Sequence, residues 1–172
     1  MGFSIRLARA ADAPHMARLS RDLIEAGLGW RWTPLRVRHS LRDRATNGLV
    51  ATEGPRVVGF ALMKYLDERA HLLLLAVAVP SRRSGVGRAM LDWLEKTALV
   101  AGIGSIELEV RATNLGARAF YRALGFEEDA TVPGYYAGIE AGVRMHRDLW
   151  SLSPPTVAGD GPDQPAWLPP PP

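Results

Sequence analysis

The chain has 172 residues, of which 47% are hydrophobic and 23% charged, and this balance favours one globular domain with a sizeable core. The formal net charge of +3 is too small to indicate nucleic-acid binding, and the four histidines lack metal-ligand spacing. The absence of cysteine excludes disulfides and a thiolate nucleophile. Residues 1–6 lack the apolar run of a signal peptide, and no stretch approaches membrane-spanning length, so we expect a cytoplasmic protein without a membrane partner.

The first half of the chain predicts short strands and two amphipathic helices. The predicted elements are a strand at 4–10, a helix at about 13–26, a helix at 35–44, hairpin strands at 48–52 and 56–64, and a strand at 72–79. Asp12 is expected to cap the first helix. The run at 72–79 is apolar throughout, which indicates a central strand covered on both faces.

The second half predicts a similar alternation of strands and helices. Its elements are a helix at 85–101, a strand at 105–110, a helix at 115–124, and strands near 126–130 and 143–149 with a turn at Pro133-Gly134. In the strand at 105–110, Glu107 and Glu109 fall on the face opposite to the aliphatic residues. The element order predicts an α+β or mixed α/β domain over residues 1–150, with one central sheet and helices on both faces.

The last residues differ in composition from the rest. Eight of the thirteen prolines fall within residues 153–172. We therefore expect 151–172 to be a disordered or extended tail. A proline-rich segment can also serve as a ligand for a partner's groove, and the sequence leaves both interpretations open.

A glycine- and arginine-rich loop joins the apolar strand to the helix that follows. It consists of Arg82, Arg83, Ser84, Gly85, Val86, Gly87 and Arg88. Backbone N–H groups at a helix N-terminus bind phosphate, and the arginines add positive charge. The Gly-Lys-Ser/Thr of a Walker A loop and the Gly-x-Gly-x-x-Gly dinucleotide fingerprint are both absent. The loop therefore predicts a polyphosphate or pyrophosphate ligand outside those two classes.

A second motif, which follows the strand at 105–110, narrows the class of ligand. It reads Asn114-x-x-Ala117-x-x-x-Tyr121-x-x-Leu124-Gly125-Phe126. Together with the glycine- and arginine-rich loop, this motif resembles the GNAT superfamily of acyl-CoA-dependent N-acetyltransferases over roughly residues 4–149. Within that superfamily the chain resembles the ribosomal-protein-alanine N-acetyltransferases in Leu108-Glu109-Val110-Arg111-Ala112-Thr113-Asn114, in Gly134-Tyr135-Tyr136 and in Met145. The resemblance implies a mostly antiparallel sheet that splays between its fourth and fifth strands.

The resemblance also implies acetyl-CoA as the acetyl donor and no metal. The cofactor-binding residues that it implies are Leu75, Ala76, Val77, Arg82, Arg83, Ser84, Gly85, Val86, Gly87, Arg88 and Asn114. Residues 75–77 would contribute backbone groups only, so they can serve at once as an ordinary core strand. Gly85 and Gly87 lack a Cβ and let the backbone approach phosphates closely. Asn114 also stands where a helix N-cap is expected.

Two residues are candidates for proton transfer. Glu109 would deprotonate the amine, directly or through water, with Glu107 as its substitute. The alternative for Glu109 is a surface charge paired with Arg111. Tyr121 would protonate the departing coenzyme A thiolate, while Phe120, about 100° away on the helix, is expected to pack in the core.

The acceptor side is defined less sharply. The residues expected to line it are Tyr135, Tyr136, Trp30 and Trp32, and it is equally open that one tryptophan fills the core instead. The preferred function is N-acetylation of a protein N-terminal α-amine by direct attack on acetyl-CoA. Acetylation of a small amine (a polyamine, amino acid or aminoglycoside) and a non-catalytic acyl-CoA sensor or scaffold remain alternatives, and a homodimer stays open.

Overall fold

The computed structural model describes residues 2–151, so the predictions for the proline-rich tail lie outside the described residues from Leu152 onward. The strands are β1 Ser4–Leu7, β2 Thr46–Glu53, β3 Arg56–Tyr65, β4 Arg69–Val77, β5 Ser105–Arg111, β6 Glu127–Tyr136 and β7 Glu140–Asp148. The helices are α1 Ala13–Leu23, α2 Pro34–Arg42, α3 Val86–Val100 and α4 Leu115–Ala123, and 3-10 turns occupy Ala10–Asp12 and Val79–Ser81.

The strands form one mixed sheet with the order β1-β2-β3-β4-β5-β7-β6. Every neighbouring pair is antiparallel except β4 and β5, which are parallel. One core cluster includes Met90 and Leu94 of α3, and the other includes Met16 of α1 and Val37 of α2. Helices therefore cover both faces, and the predicted mixed α/β fold with β4 at its centre is confirmed.

The sheet opens between β4 and β5. The two strands pair only at Arg69–Ser105, Ala70–Ile106 and His71–Glu107, although both continue beyond these positions. The splay that the family resemblance implies is therefore present. Past His71, the edge of β4 that faces β5 has no strand partner within the described residues.

A β-bulge in β4 lies at the same point. Met63 of β3 pairs with Leu72, but Leu62 pairs with Leu74, so Leu73 is an extra residue in β4. Leu72 belongs to the core cluster under α3, whereas Leu74 belongs to the cluster under α1. Because of the bulge, even-numbered residues of β4 face α3 before it and α1 after it. The bulge also bends β4 at the point where the gap begins.

Asp12 does not cap α1 as predicted. It occupies the N-cap position, but its side chain makes no capping hydrogen bond there. Instead its carboxylate accepts two bonds from Arg6, at 2.7 and 2.9 Å, and one from the Arg9 backbone N–H at 2.7 Å. A 3-10 turn precedes the helix, and the Asp12 carboxylate bonds to the backbone N–H at the start of that turn rather than to the N–H groups of α1.

The predicted turn at Pro133-Gly134 is also wrong. Both residues lie inside β6, in a stretch of irregular pairing, and the chain reverses after Tyr136. Ala137 and Gly138 supply the left-handed conformations of that turn, with φ of +54° and +72°. Proline is tolerated inside β6 because this is an edge strand that needs fewer backbone donors.

Candidate active site

The gap between β4 and β5 is bordered by the predicted cofactor strand. Ala76 is buried, while the side chains of Leu75 and Val77 pack against the α3 core cluster. Their side chains therefore pack in the core, as expected for an ordinary core strand. Their backbone borders the open edge of β4, so the same residues can also offer main-chain groups to a ligand.

The loop before α3 adopts left-handed backbone conformations at two positions. Arg83 has φ of +61° and Gly85 has φ of +88°. Helix α3 starts at Val86 with no side-chain cap, so the N–H groups of its first turn receive no capping bond from Gly85. Ser84 Oγ donates to the Ser81 carbonyl at 2.6 Å and is therefore used within the loop. Such an uncapped helix start is suited to an anion.

The three loop arginines are exposed, and none forms a salt bridge within residues 2–151. Arg82 Nε donates to the Val77 carbonyl at 3.1 Å, which places this side chain at the end of β4 beside the gap. The positive charge that the sequence predicts is thus free to meet a phosphate.

The two loop glycines are required for different reasons. A Cβ built on Gly85 would meet nothing within 4 Å, so its requirement is the positive φ. A Cβ on Gly87 would lie 3.3 Å from the Phe120 ring and 3.6 Å from Val77. Gly87 therefore lets α4 approach the first turn of α3, next to the predicted phosphate site.

Helix α4 presents Asn114 and Tyr121. Asn114 Oδ1 accepts a hydrogen bond from the Ala117 N–H at 3.1 Å, so its capping role is confirmed. Tyr121 is the more buried of the two adjacent aromatics at 7% exposure, and burial raises the pKa of its hydroxyl. Its ring packs edge-on against Phe120 and Phe126. Phe120 packs against the α3 core cluster as expected, but Tyr121 is the more deeply buried of the two in the same cluster.

Glu109 stands at the centre of a polar cluster beside the gap. Its Oε2 lies 2.6 Å from His71 Nε2, and its Oε1 accepts a bond from Arg144 Nε at 3.3 Å. Its side chain is only 8% exposed. The hydrogen bond from His71 lowers the pKa of Glu109 most, burial acts in the opposite direction, and the net effect is a lowered pKa. The proposed pairing of Glu109 with Arg111 is wrong.

The two tyrosines of β6 lie next to this carboxylate. Tyr135 lies close to Glu109, and burial together with that negative charge raises the pKa of Tyr135 to about 12. The Tyr136 ring lies edge-on to Tyr135, with centroids 4.9 Å apart, and 5.9 Å from the Arg111 guanidinium. Burial also raises the pKa of Tyr136. The structure therefore places both predicted tyrosines beside Glu109.

Arg111 fastens the loop between α1 and α2 to β5. Its Nη2 donates to the carbonyls of Ile24 and Ala26, at 2.8 and 2.7 Å, and its Nη1 lies 3.5 Å from Glu140 Oε2. These bonds hold the loop over the end of β5, on the side of the tyrosines.

The same loop carries the two predicted tryptophans. Glu25 is buried and accepts the N–H groups of Arg31 and Trp32, at 2.7 and 3.2 Å. The Trp32 ring packs against the α1 core cluster, so it is the tryptophan that fills the core. Trp30 is 40% exposed, and its Nε1 donates to the Ala17 carbonyl at 3.2 Å.

Sequence reasoning missed His71, Arg144, Arg111 and Glu25 as parts of this site. His71 and Arg144 stand on strands far apart in the chain, and only the register of β4, β5 and β7 brings them to Glu109. Glu107, the predicted substitute for Glu109, instead lies 3.5 Å from Arg69. Alternation along β4 could have placed His71 on the Glu109 face once the pairing was known.

Comparison with known proteins decides the family. The model of the Acetyltransferase (GNAT) family matches residues 15–126. The chain belongs to this family. The ribosomal protein bS18-alanine N-acetyltransferase of Escherichia coli is 35% identical over 85 residues, which are 49% of this chain and 57% of that protein. The alignment thus spans little more than half the length of this GNAT relative.

Other GNAT proteins align over more of their length. The N-alpha-acetyltransferase of Sulfolobus acidocaldarius is 26% identical over 162 residues, covering 87% of this chain and 94% of that protein. The crystal structure of Ard1 from Thermoplasma volcanium superposes with a TM-score of 0.76 and 28% identity, covering 86% of this chain and 98% of that one. The family resemblance predicted from the sequence is confirmed. Among the helices of residues 2–151, none has the length and apolarity needed to cross a membrane.

Proposed function

We propose that this chain transfers an acetyl group from acetyl-CoA to a protein N-terminal α-amine, by direct attack within a ternary complex. The observation that carries the proposal is the gap between β4 and β5, which is closed at His71–Glu107 and bordered beyond that point by Glu109. A strand edge without a partner accepts an extended ligand through main-chain hydrogen bonds. The buried carboxylate then stands beside the site of reaction.

The donor side fits coenzyme A. The pantetheine arm would run along the open edge of β4 at Leu75, Ala76 and Val77, and the pyrophosphate would meet the first turn of α3. The loop residues supporting that turn are Arg82, Arg83, Ser84, Gly85, Val86, Gly87 and Arg88. Asn114, which caps α4 next to this site, would contact the cofactor as well.

The chemistry requires a neutral amine, and an α-amine with a pKa of about 8 loses its proton at little cost near neutrality. The polar cluster around Glu109 would take that proton. The nitrogen then attacks the thioester carbonyl carbon and the C–N bond forms. The tetrahedral intermediate loses its second nitrogen proton to water, and the C–S bond breaks as the intermediate collapses. A backbone N–H of the β4 edge would stabilise the oxyanion, and Tyr121 would protonate the thiolate.

The acceptor would enter on the side of the α1–α2 loop. Tyr135 and Tyr136 lie beside Glu109, and Arg111 holds the loop that carries Trp30 over β5. Trp32 would support this wall from the core. Two relatives support an N-terminal acceptor: one is a ribosomal protein bS18-alanine N-acetyltransferase and the other is an N-alpha-acetyltransferase.

A coenzyme A release assay tests the proposal. Acetyl-CoA is offered with peptides that have free N-termini, with the same peptides blocked at the N-terminus, and with a panel of polyamines, amino acids and aminoglycosides. Release with the free peptides alone supports the proposal. Release with small amines alone would replace the acceptor, and acetyl-CoA binding without release from any amine would make the chain a non-catalytic binding module.

A further inference from the structure

His71 and Glu109 form a close imidazole–carboxylate pair at the point where the gap opens. Nε2 of His71 lies 2.6 Å from Oε2 of Glu109. An ionised carboxylate only accepts hydrogen bonds, so Nε2 carries the hydrogen and Nδ1 of the neutral ring holds the free lone pair. The ring therefore has a fixed tautomer with its basic nitrogen directed away from Glu109.

The two members of the pair differ in what they can still do. Both carboxylate oxygens of Glu109 are engaged, one by His71 and the other by Arg144, and its side chain is 8% exposed. The His71 side chain is 31% exposed, and its Nδ1 makes no hydrogen bond within the described part of the chain. Within the described residues, the imidazole therefore still has a nitrogen that can accept a proton, whereas both oxygens of the carboxylate are already hydrogen-bonded.

We propose that His71 takes the proton from the acceptor amine and that Glu109 is the positioning residue that holds its ring; this rests on the acetyl transfer proposed above. The ammonium proton passes to Nδ1, directly or through one water, while the Nε2 hydrogen stays directed at Glu109. The imidazolium faces the carboxylate and later releases its proton to water through its exposed edge. The nitrogen lone pair is then free to attack the thioester.

The charged and titratable groups around His71 support this assignment. The titratable and charged neighbours on the same sheet face are Arg69 on β4, Lys64 on β3, Glu107 and Glu109 on β5, Arg144 and His146 on β7, and Tyr135 on β6. Lys64 pairs with Asp43 at 3.3 Å, and Glu107 pairs with Arg69 at 3.5 Å. Glu109 is therefore the group in direct contact that stabilises a positive charge on the ring.

Chemical rescue provides the test. With the acceptor found in the release assay, His71→Ala should lower kcat about 10²–10⁴-fold while the acetyl-CoA dissociation constant stays unchanged. Added imidazole should restore a substantial part of that rate. Glu109→Ala should also lose activity, but neither imidazole nor formate should restore it, because the carboxylate acts by orienting the ring. His71→Gln, which keeps a polar side chain of similar reach, should show the same loss if His71→Ala does not fold.

His146 offers a control, because its Nδ1 lies 2.7 Å from Asp129 Oδ1 on β6, although that contact lacks hydrogen-bond geometry. His146→Ala should keep the wild-type kcat and ignore imidazole. An active wild type with an unimpaired His71→Ala or His71→Gln would overturn the proposal, as would rescue of Glu109→Ala by formate. A wild type that acetylates no amine would instead contradict the proposed function itself.

Discussion

Nε2 of His71 and Oε2 of Glu109 lie 2.6 Å apart across the point where β4 and β5 separate. Pairing between these strands ends at His71–Glu107, so the contact reaches one step beyond the hydrogen-bonded ladder. This contact fixes the imidazole and the carboxylate relative to each other at the point where the gap begins.

Tyr121→Phe should lower kcat by about 10²-fold and leave acetyl-CoA affinity nearly unchanged. The substitution keeps the ring that packs on Phe120 and Phe126 and removes only the hydroxyl. Steady-state kinetics with calorimetric binding of acetyl-CoA measure both quantities. Tyr65→Phe, which removes a hydroxyl bonded to Thr97 at 2.8 Å, should cost about 1 kcal/mol of unfolding free energy without slowing turnover. An undiminished rate in Tyr121→Phe would remove its role as acid.

Gly85→Ala should weaken acetyl-CoA binding about 10-fold. A Cβ at this position meets no atom within 4 Å, so the penalty comes from φ of +88°, where an alanine costs about 1–2 kcal/mol. The loop would then relax away from the shape that we propose binds phosphate. Gly54→Ala in the β2–β3 turn has the same open surroundings and a φ of +57°. It should lose comparable stability but bind acetyl-CoA as the wild type does. Equal dissociation constants for both variants would argue against a pyrophosphate at this loop.

Arg111→Gln should raise the acceptor KM about 10-fold and leave the acetyl-CoA dissociation constant unchanged. The guanidinium bonds to the carbonyls of Ile24 and Ala26 hold the α1–α2 loop, which we propose borders the acceptor, over β5, and each bond to a charged donor contributes about 1.5–3 kcal/mol. Arg56→Gln, which breaks an exposed pair with Glu53, is the control and should change neither quantity. A rise in the acetyl-CoA constant instead would assign Arg111 to the donor side.

Stability should depend on Asp12 only at higher pH. Hydrogen bonds from Arg6 hold the pKa of Asp12 below its ordinary value, so its contribution is complete above the usual carboxyl pKa of about 4 and disappears as the pH falls through the lower native value. Asp12→Asn should lower Tm by roughly 3–6 °C at neutral pH, with the difference shrinking below about pH 4. Thermal unfolding at several pH values measures this.

Asp22 supplies the comparison, because its pair with Arg21 is exposed on both sides. Asp22→Asn should leave Tm nearly unchanged at every pH. A Tm difference for Asp12→Asn that persists at low pH would show that the contribution of Asp12 is packing rather than charge.

The sequence predicted most elements because local patterns determine them. The apolar run of β4 reports burial on both faces, and alternation in β5 places Glu109 opposite the core. The turn predicted at Pro133-Gly134 is wrong because an edge strand tolerates both residues. The chain instead reverses at Ala137 and Gly138. Local sequence patterns show which conformations a residue can adopt, but the pairing of neighbouring strands decides which of these it takes.

The composition of the site depends on contacts that no local pattern contains. His71 stands 38 positions before Glu109, and the bond between them exists because parallel pairing sets their register. Arg111 donates to backbone carbonyls more than eighty residues earlier in the chain. Every residue has such a carbonyl, so no residue type in the sequence marks these partners. The motifs therefore identified the loop before α3 and the cap of α4, whereas His71, Arg111 and Glu25 emerged only from strand register and from the packing of the α1–α2 loop.

The most direct test of acetyl transfer to an N-terminus is mass spectrometry of a peptide pair incubated with the protein and acetyl-CoA. One peptide carries a free α-amine and an internal lysine, and its twin has the α-amine blocked. We predict a gain of one acetyl group on the free peptide, located by fragmentation at its first residue, and no gain on the twin. Acetylation of the lysine in both peptides, or of neither peptide while a small amine is modified, would contradict the account.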